Sequence, residues 1–145
     1  MKIAGLLIVV VGLLFSGHAI AADTAPACAK HGNSFLNIDA CGAKGDGKTN
    51  DAPAIAAAFL NSQNVTCTAG KTYYVASTVK IAADRTTLSA NGCRFAPHLN
   101  PSTAPILDIE ASNVTINGLH VMAGSGGWAI FAGMSKAVAH VMIKK

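Results

Sequence analysis

A chain of 145 residues with a formal charge of +4 and only 12 % charged side chains offers no stripe of cations along which a phosphate backbone could run. Its longest basic run is Lys144-Lys145, so the composition argues against nucleic acid and is compatible with an acidic polysaccharide. The length suits one modest domain.

Residues 1–21 read as a secretory signal peptide. Lys2 supplies the positive start, the uncharged apolar run ends at Phe15, and Ala19-Ile20-Ala21 forms an A-x-A cleavage site. The run is shorter than the roughly 20 residues a membrane span needs. Cleavage near Ala21, no membrane attachment afterwards and a secreted or periplasmic location are expected. Residues 22–34 are small, polar and proline-containing, and read as a leader.

Cys28, Cys41, Cys67 and Cys93 all follow the signal peptide. An even count in an exported chain implies two disulfides, for which sequence allows three pairings. No Cys-x-x-Cys pair is present, so a zinc site is not expected.

A short strand at residues 35–38 precedes a Gly-rich stretch, Cys41-Gly42-Ala43-Lys44-Gly45-Asp46-Gly47-Lys48-Thr49-Asn50-Asp51, which predicts a tight irregular loop. A helix is predicted over residues 51–60. Thr49, Asn50 and Asp51 are N-cap candidates, Pro53 is tolerated in the first turn, and the alanines favour helix. Ile55, Phe59 and Leu60 are expected to share its buried face.

Short strands separated by polar breaks follow, at residues 65–67, 73–75, 79–81, 87–89, 106–109, 114–116, 119–122, 129–131 and 138–143, an all-β pattern. Residues 105–114 can be laid over residues 129–138 at an offset of 24, so that Ile106, Leu107 and Val114 meet Ile130, Phe131 and Val138. A period in the twenties fits one turn of a solenoid whose strands stack about 4.8 Å apart. A hairpin sandwich would favour more Asn-Gly turns than Asn91-Gly92 and Asn117-Gly118. In a solenoid Cys67 and Cys93 fall about one turn apart, within disulfide reach, which leads us to expect Cys67–Cys93 and Cys28–Cys41.

Residues 35–55 resemble the opening of the pectate-lyase-like superfamily. That family begins with a short strand, a G-A-x-G-D-G-x-T-D-D loop and an alanine-rich helix. Gly42, Gly45, Asp46, Gly47, Thr49 and Asp51 match the loop, and Asn50 replaces its penultimate Asp. Val65-Thr66-Cys67-Thr68-Ala69-Gly70 is similar to the next strand and P-A-G turn, with Thr68 for proline, and residues 113–119 resemble the repeating strand-turn-strand unit. The resemblance covers residues 35–143. It implies a right-handed parallel β-helix over residues 35–145, capped at its N-terminal end by the helix at 51–60 and incomplete at its C-terminus. It does not imply one reaction, because lyases, hydrolases, epimerases and tailspikes share the motif.

Asp46 and Asp51 lack the spacing of a calcium loop and read as turn and cap residues. Asp108 and Glu110, two apart on a strand, are expected on a solvated outer face with no basic partner nearby. His98, His120 and His140 are isolated, and Trp128, Tyr73 and Tyr74 are read as packing locally. Asn64-Val65-Thr66 and Asn113-Val114-Thr115 match the glycosylation sequon but read as turn asparagines. The N-T-D, D-D, G-H-G and R-I-K motifs of family polygalacturonases are absent, and Arg85 and Arg94 supply no recognisable lyase arrangement. No catalytic residue is assigned. The residues imply no metal and no cofactor, and calcium enters only through the resemblance. The expected function is the exported N-terminal portion of a protein that cleaves or epimerises an acidic polysaccharide, ending before a catalytic site is built. The alternative is a non-catalytic secreted module for glycan binding or surface structure. The strand at residues 138–143 is expected to leave an open edge prone to self-association.

Overall fold

The computed structural model describes residues 28–29, 34–97, 104–122, 129–133 and 136–145. The signal-peptide region, most of the leader, His98 and Trp128 lie outside the described residues. Among the described residues the fold consists mostly of strands in three parallel sheets, A, B and C, with one α-helix.

The chain visits the sheets in a fixed order. The first circuit lays β1 (Leu36–Asn37) in sheet A and β2 (Asp46–Asn50) in sheet B, then forms α1 (Ala52–Asn61). The second lays β3 (Asn64–Thr66), β4 (Thr72–Val75) and β5 (Val79–Ile81) in sheets A, B and C. The third repeats this with β6 (Thr87–Ser89), β7 (Arg94–Pro97) and β8 (Leu107–Ile109), and the fourth with β9 (Val114–Asn117), β10 (His120–Val121) and β11 (Ile130–Ala132). Finally β12 (Val141–Lys144) returns to sheet A. Each strand pairs in parallel with its counterpart one circuit away. In the first circuit α1 stands where a sheet C strand would, and it packs on β5.

Side-chain alternation builds the core as columns. Leu36, Val65, Leu88 and Ile116 lie in register across sheet A, and all are buried. Tyr73 and Phe95 meet edge to face in sheet B, with ring centroids 5.9 Å apart. Val79 faces Leu107 and Ile81 faces Ile109 in sheet C, and all four are buried. The corner from sheet A to sheet B is made each time by a glycine at positive φ: Gly45, Gly70, Gly92 and Gly118. Only glycine adopts this conformation freely. At Gly118 a Cβ would overlap the side chain of Asn91, so the corner also needs the missing side chain.

Cys28 is bonded to Cys41 and Cys67 to Cys93, with Cα separations of 4.5 and 6.3 Å. The second bond ties the circuit holding β3 to the one holding β7.

Several expectations are corrected. Asp46–Asn50 is a strand at the edge of sheet B rather than part of an irregular loop, because its backbone pairs with β4 through a register shift. The strand β7 lay outside the sequence expectation because Arg94-Phe95-Ala96-Pro97 contains one strong β-former. The offset of 24 does not hold: Leu107 faces Ile130, and Val114 faces Val141 rather than Val138. Corner lengths vary, so no single offset fits. The helix begins at Ala52, and the Asp51 side chain makes no cap bond to it. Leu60 is 81 % exposed, whereas Ile55 and Phe59 are buried, because α1 packs on one side only.

Candidate functional site

Two polar clusters stand out. The first contains the Gly-rich motif. Gly42, at φ 93°, ends a short 3-10 turn, and its N–H donates to the Asp39 carbonyl at 3.0 Å. The Asp51 carboxylate is buried and accepts from the N–H groups of Lys44 at 2.6 Å and Gly45 at 3.1 Å. Burial pushes this carboxyl above its ordinary value, although those N–H groups oppose the shift. Asp46 accepts from the N–H groups of Thr49 and Lys48 and from the Thr49 hydroxyl, which lower its carboxyl to about 2. Asn50 Oδ1 accepts from the N–H groups of Ala52 and Ala76, both at 3.1 Å. Gly47 has φ 72°. Asp46, Asn50 and Asp51 thus each hold backbone N–H groups.

Asp51→Ala leaves two loop N–H groups without their acceptor and is expected to cost about 2 kcal/mol. Urea unfolding measures it, and an unchanged midpoint would show that water replaces the carboxylate at no cost.

Sequence reading missed Asp39. Its carboxylate accepts from Lys71 Nζ, the Thr68 hydroxyl and the Tyr73 hydroxyl, each at 2.7 Å. Burial raises its carboxyl, but the three donors outweigh this and hold it below its ordinary value. Tyr73 is pushed up to about 12, by burial first and then by Asp39. The group joins the start of the chain to sheet B and closes on itself.

The second cluster lies on the outer side of sheet C. Leu107 and Ile109 point inward, so Asp108 between them points outward, in register with Lys80 on β5 and Phe131 on β11. Lys80 Nζ pairs with Glu110 Oε1 at 2.8 Å. Two expectations fail here. Asp108 is only 3 % exposed, not solvated, and Glu110 does have a basic partner. That partner comes from one circuit earlier, a proximity invisible in sequence order. Burial, then the charge of Glu110, raises the Asp108 carboxyl, with Lys80 opposing. Its Oδ1 is buried without a hydrogen-bond partner. Two carboxyls whose surroundings push one of them upward are a pairing that acid–base catalysis can use. Here burial closes Asp108 to solvent, and Lys80 takes the Glu110 carboxylate.

The pair does not fit calcium, which takes six to eight oxygen ligands. Among the described residues no group of three or more His, Cys, Asp or Glu side chains could hold a metal. His120 and His140 are exposed, and neither contacts a carboxylate among the described residues. Tyr73 packs inside sheet B, while Tyr74 is half-buried.

The raised Asp108 carboxyl has a stability consequence. A carboxyl whose folded value lies above its unfolded value stabilises fully below the unfolded value, 3.8 here, and that contribution is lost as pH rises through the folded value. Asp46 acts in reverse: its contribution is present above 3.8 and is lost as pH falls toward about 2. Asp108→Asn is therefore expected to flatten the decline in stability on the way up to neutrality and to leave the acid limb intact. Urea midpoints at stepped pH measure both limbs, and a parallel pH profile in the variant would count against the assignment.

No family model, curated protein or solved structure matches the chain.

Proposed function

We propose that the chain is the exported N-terminal portion of a right-handed parallel β-helix protein that acts on an acidic polysaccharide, and that these residues bind and support rather than break bonds. The observation that carries the reading is the order in which the chain visits its sheets, A, B, C and again A, with parallel pairing from circuit to circuit. Right-handed crossovers between parallel strands are almost universal, and coils stacked this way form a continuous flank along which a polymer can lie. In this reading α1 caps the first coil. Two disulfides suit an oxidising compartment, and no helix among the described residues is long and apolar enough to cross a membrane. The site chemistry favours binding over turnover, since the Asp108–Glu110 pair is closed by burial and by Lys80.

Calorimetric titration with polygalacturonate oligosaccharides tests the reading. Binding that weakens with salt, without new reducing ends or unsaturated products, is the expected result. Turnover abolished by Asp108→Ala or Glu110→Ala would overturn it. The edge strand β12, with Met142 and Ile143 exposed, is where a second copy would pair, and light scattering should show concentration-dependent association.

A further inference from the structure

We propose that Asn91 is a site of spontaneous covalent modification. Its side-chain amide is lost through a cyclic imide, leaving aspartate and isoaspartate, while the fold keeps the same dipeptide one circuit later, Asn117-Gly118, intact.

The sequence contains two Asn-Gly pairs, Asn91-Gly92 and Asn117-Gly118. In each, the glycine nitrogen can close a five-membered ring on the asparagine Cγ, and glycine has no Cβ to obstruct the approach. The N–Cγ bond forms and the glycine N–H proton passes to water or hydroxide. The Cγ–Nδ2 bond breaks, and Nδ2 leaves as ammonia. Water then opens the imide. Cleavage of N–Cγ gives aspartate, and cleavage between the nitrogen and the asparagine main-chain carbonyl carbon gives isoaspartate. Each event consumes one water and releases one ammonia, with no enzyme or oxidant.

The fold treats the two pairs differently. Asn117 is the last residue of β9, in register with Ser89 on one side and Lys144 on the other. The Gly118 N–H donates to the Lys144 carbonyl at 2.9 Å, and the Asn117 carbonyl accepts from the Ala90 N–H at 2.8 Å. Both residues are half-buried. Ring closure there must first break a sheet hydrogen bond and rotate a residue paired on both sides, so it waits on local opening.

Asn91-Gly92 lies beyond the end of β6, in a turn closed by the Cys93 N–H and the Ala90 carbonyl at 3.4 Å. Gly92 has φ 82°, as the third residue of a type II turn does. Both residues are exposed, and the Gly92 N–H has no hydrogen-bond partner among the described residues. The Asn91 amide is restrained by one hydrogen bond, from Nδ2 to the Ser89 hydroxyl at 3.2 Å at an exposed position, and by contact with Gly118. Ring closure here breaks no backbone pairing of Gly92.

The products alter the corner. Either one puts a carboxylate where the Asn91 amide meets Gly118, and isoaspartate adds a main-chain carbon inside the turn that leads to Cys93. The Cys67–Cys93 bond still joins the two circuits, so the modified chain should stay folded with a lowered melting temperature.

The test is to age the folded protein at mildly alkaline pH, then reduce it and digest it with trypsin at mildly acidic pH. Cleavage after Arg85, Arg94 and Lys136 puts Asn91 in one peptide and Asn117 in the next. Mass spectrometry counts the acid forms, and isoaspartyl methyltransferase labelling identifies isoaspartate. In the folded protein the Asn91 peptide should convert about tenfold or more faster than the Asn117 peptide. In the reduced, urea-unfolded chain the two rates should agree within about threefold. Asn91→Gln, which can close only a larger ring, should abolish the conversion of its peptide. Equal rates in the folded protein, faster conversion at Asn117, or an Asn91 amide that survives folded while the unfolded chain converts would each overturn the proposal. So would a tenfold difference that persists in urea, because local sequence and not the fold would then set it.

Discussion

The double change Cys67→Ala/Cys93→Ala is expected to destabilise the protein by about 3.5 kcal/mol. The bond closes a loop of 26 residues, and constraint of the unfolded chain grows slowly with loop size. The Cys28–Cys41 bond closes 13 residues, so its removal should cost less, about 3 kcal/mol on the same reasoning. Chemical denaturation of both double variants gives the order. A larger loss from the shorter loop would show that native-state tethering of the chain start outweighs the entropy of the unfolded chain.

Phe95→Ala should be comparably severe, at about 3–5 kcal/mol. Phe95 is fully buried, and its ring packs edge to face against Tyr73. Truncation opens a cavity between successive sheet B strands that short, paired backbones cannot collapse to fill. Leu60→Ala is the control. At 81 % exposure it should change stability by no more than about 0.5 kcal/mol. Equal losses from the two variants would mean that the sheet B column is not the centre of the core.

The repetitive strand content and the single helix could be read from residue pattern alone, because apolar residues recur in short runs and alanines concentrate in one place. Registers could not. Sheet A steps from Leu88 to Ile116 while sheet C steps from Leu107 to Ile130, so an alignment at one fixed offset fails at the next corner. A better signal was present in Gly45, Gly70, Gly92 and Gly118, which mark the same corner in successive circuits. Their unequal spacing hid them from a search for an exact period. The side-chain clusters were less legible still. Lys80 meets Glu110 and Lys71 meets Asp39 across about a circuit of chain, and strand alternation alone placed Asp108 outward without showing how deeply its neighbours bury it.

The placement of α1 in the first circuit also bears on how the chain can assemble during synthesis. Every sheet pairing joins a strand to one already made, a single circuit behind it. A growing chain therefore never waits for a distant, untranslated partner, and the ordering entropy of each new circuit is offset against a surface that already exists. The helix supplies the first such surface for sheet C before any strand of that sheet has emerged. Damage in α1 should then stall assembly at its outset, whereas damage near β11 should leave the earlier circuits to settle unaided.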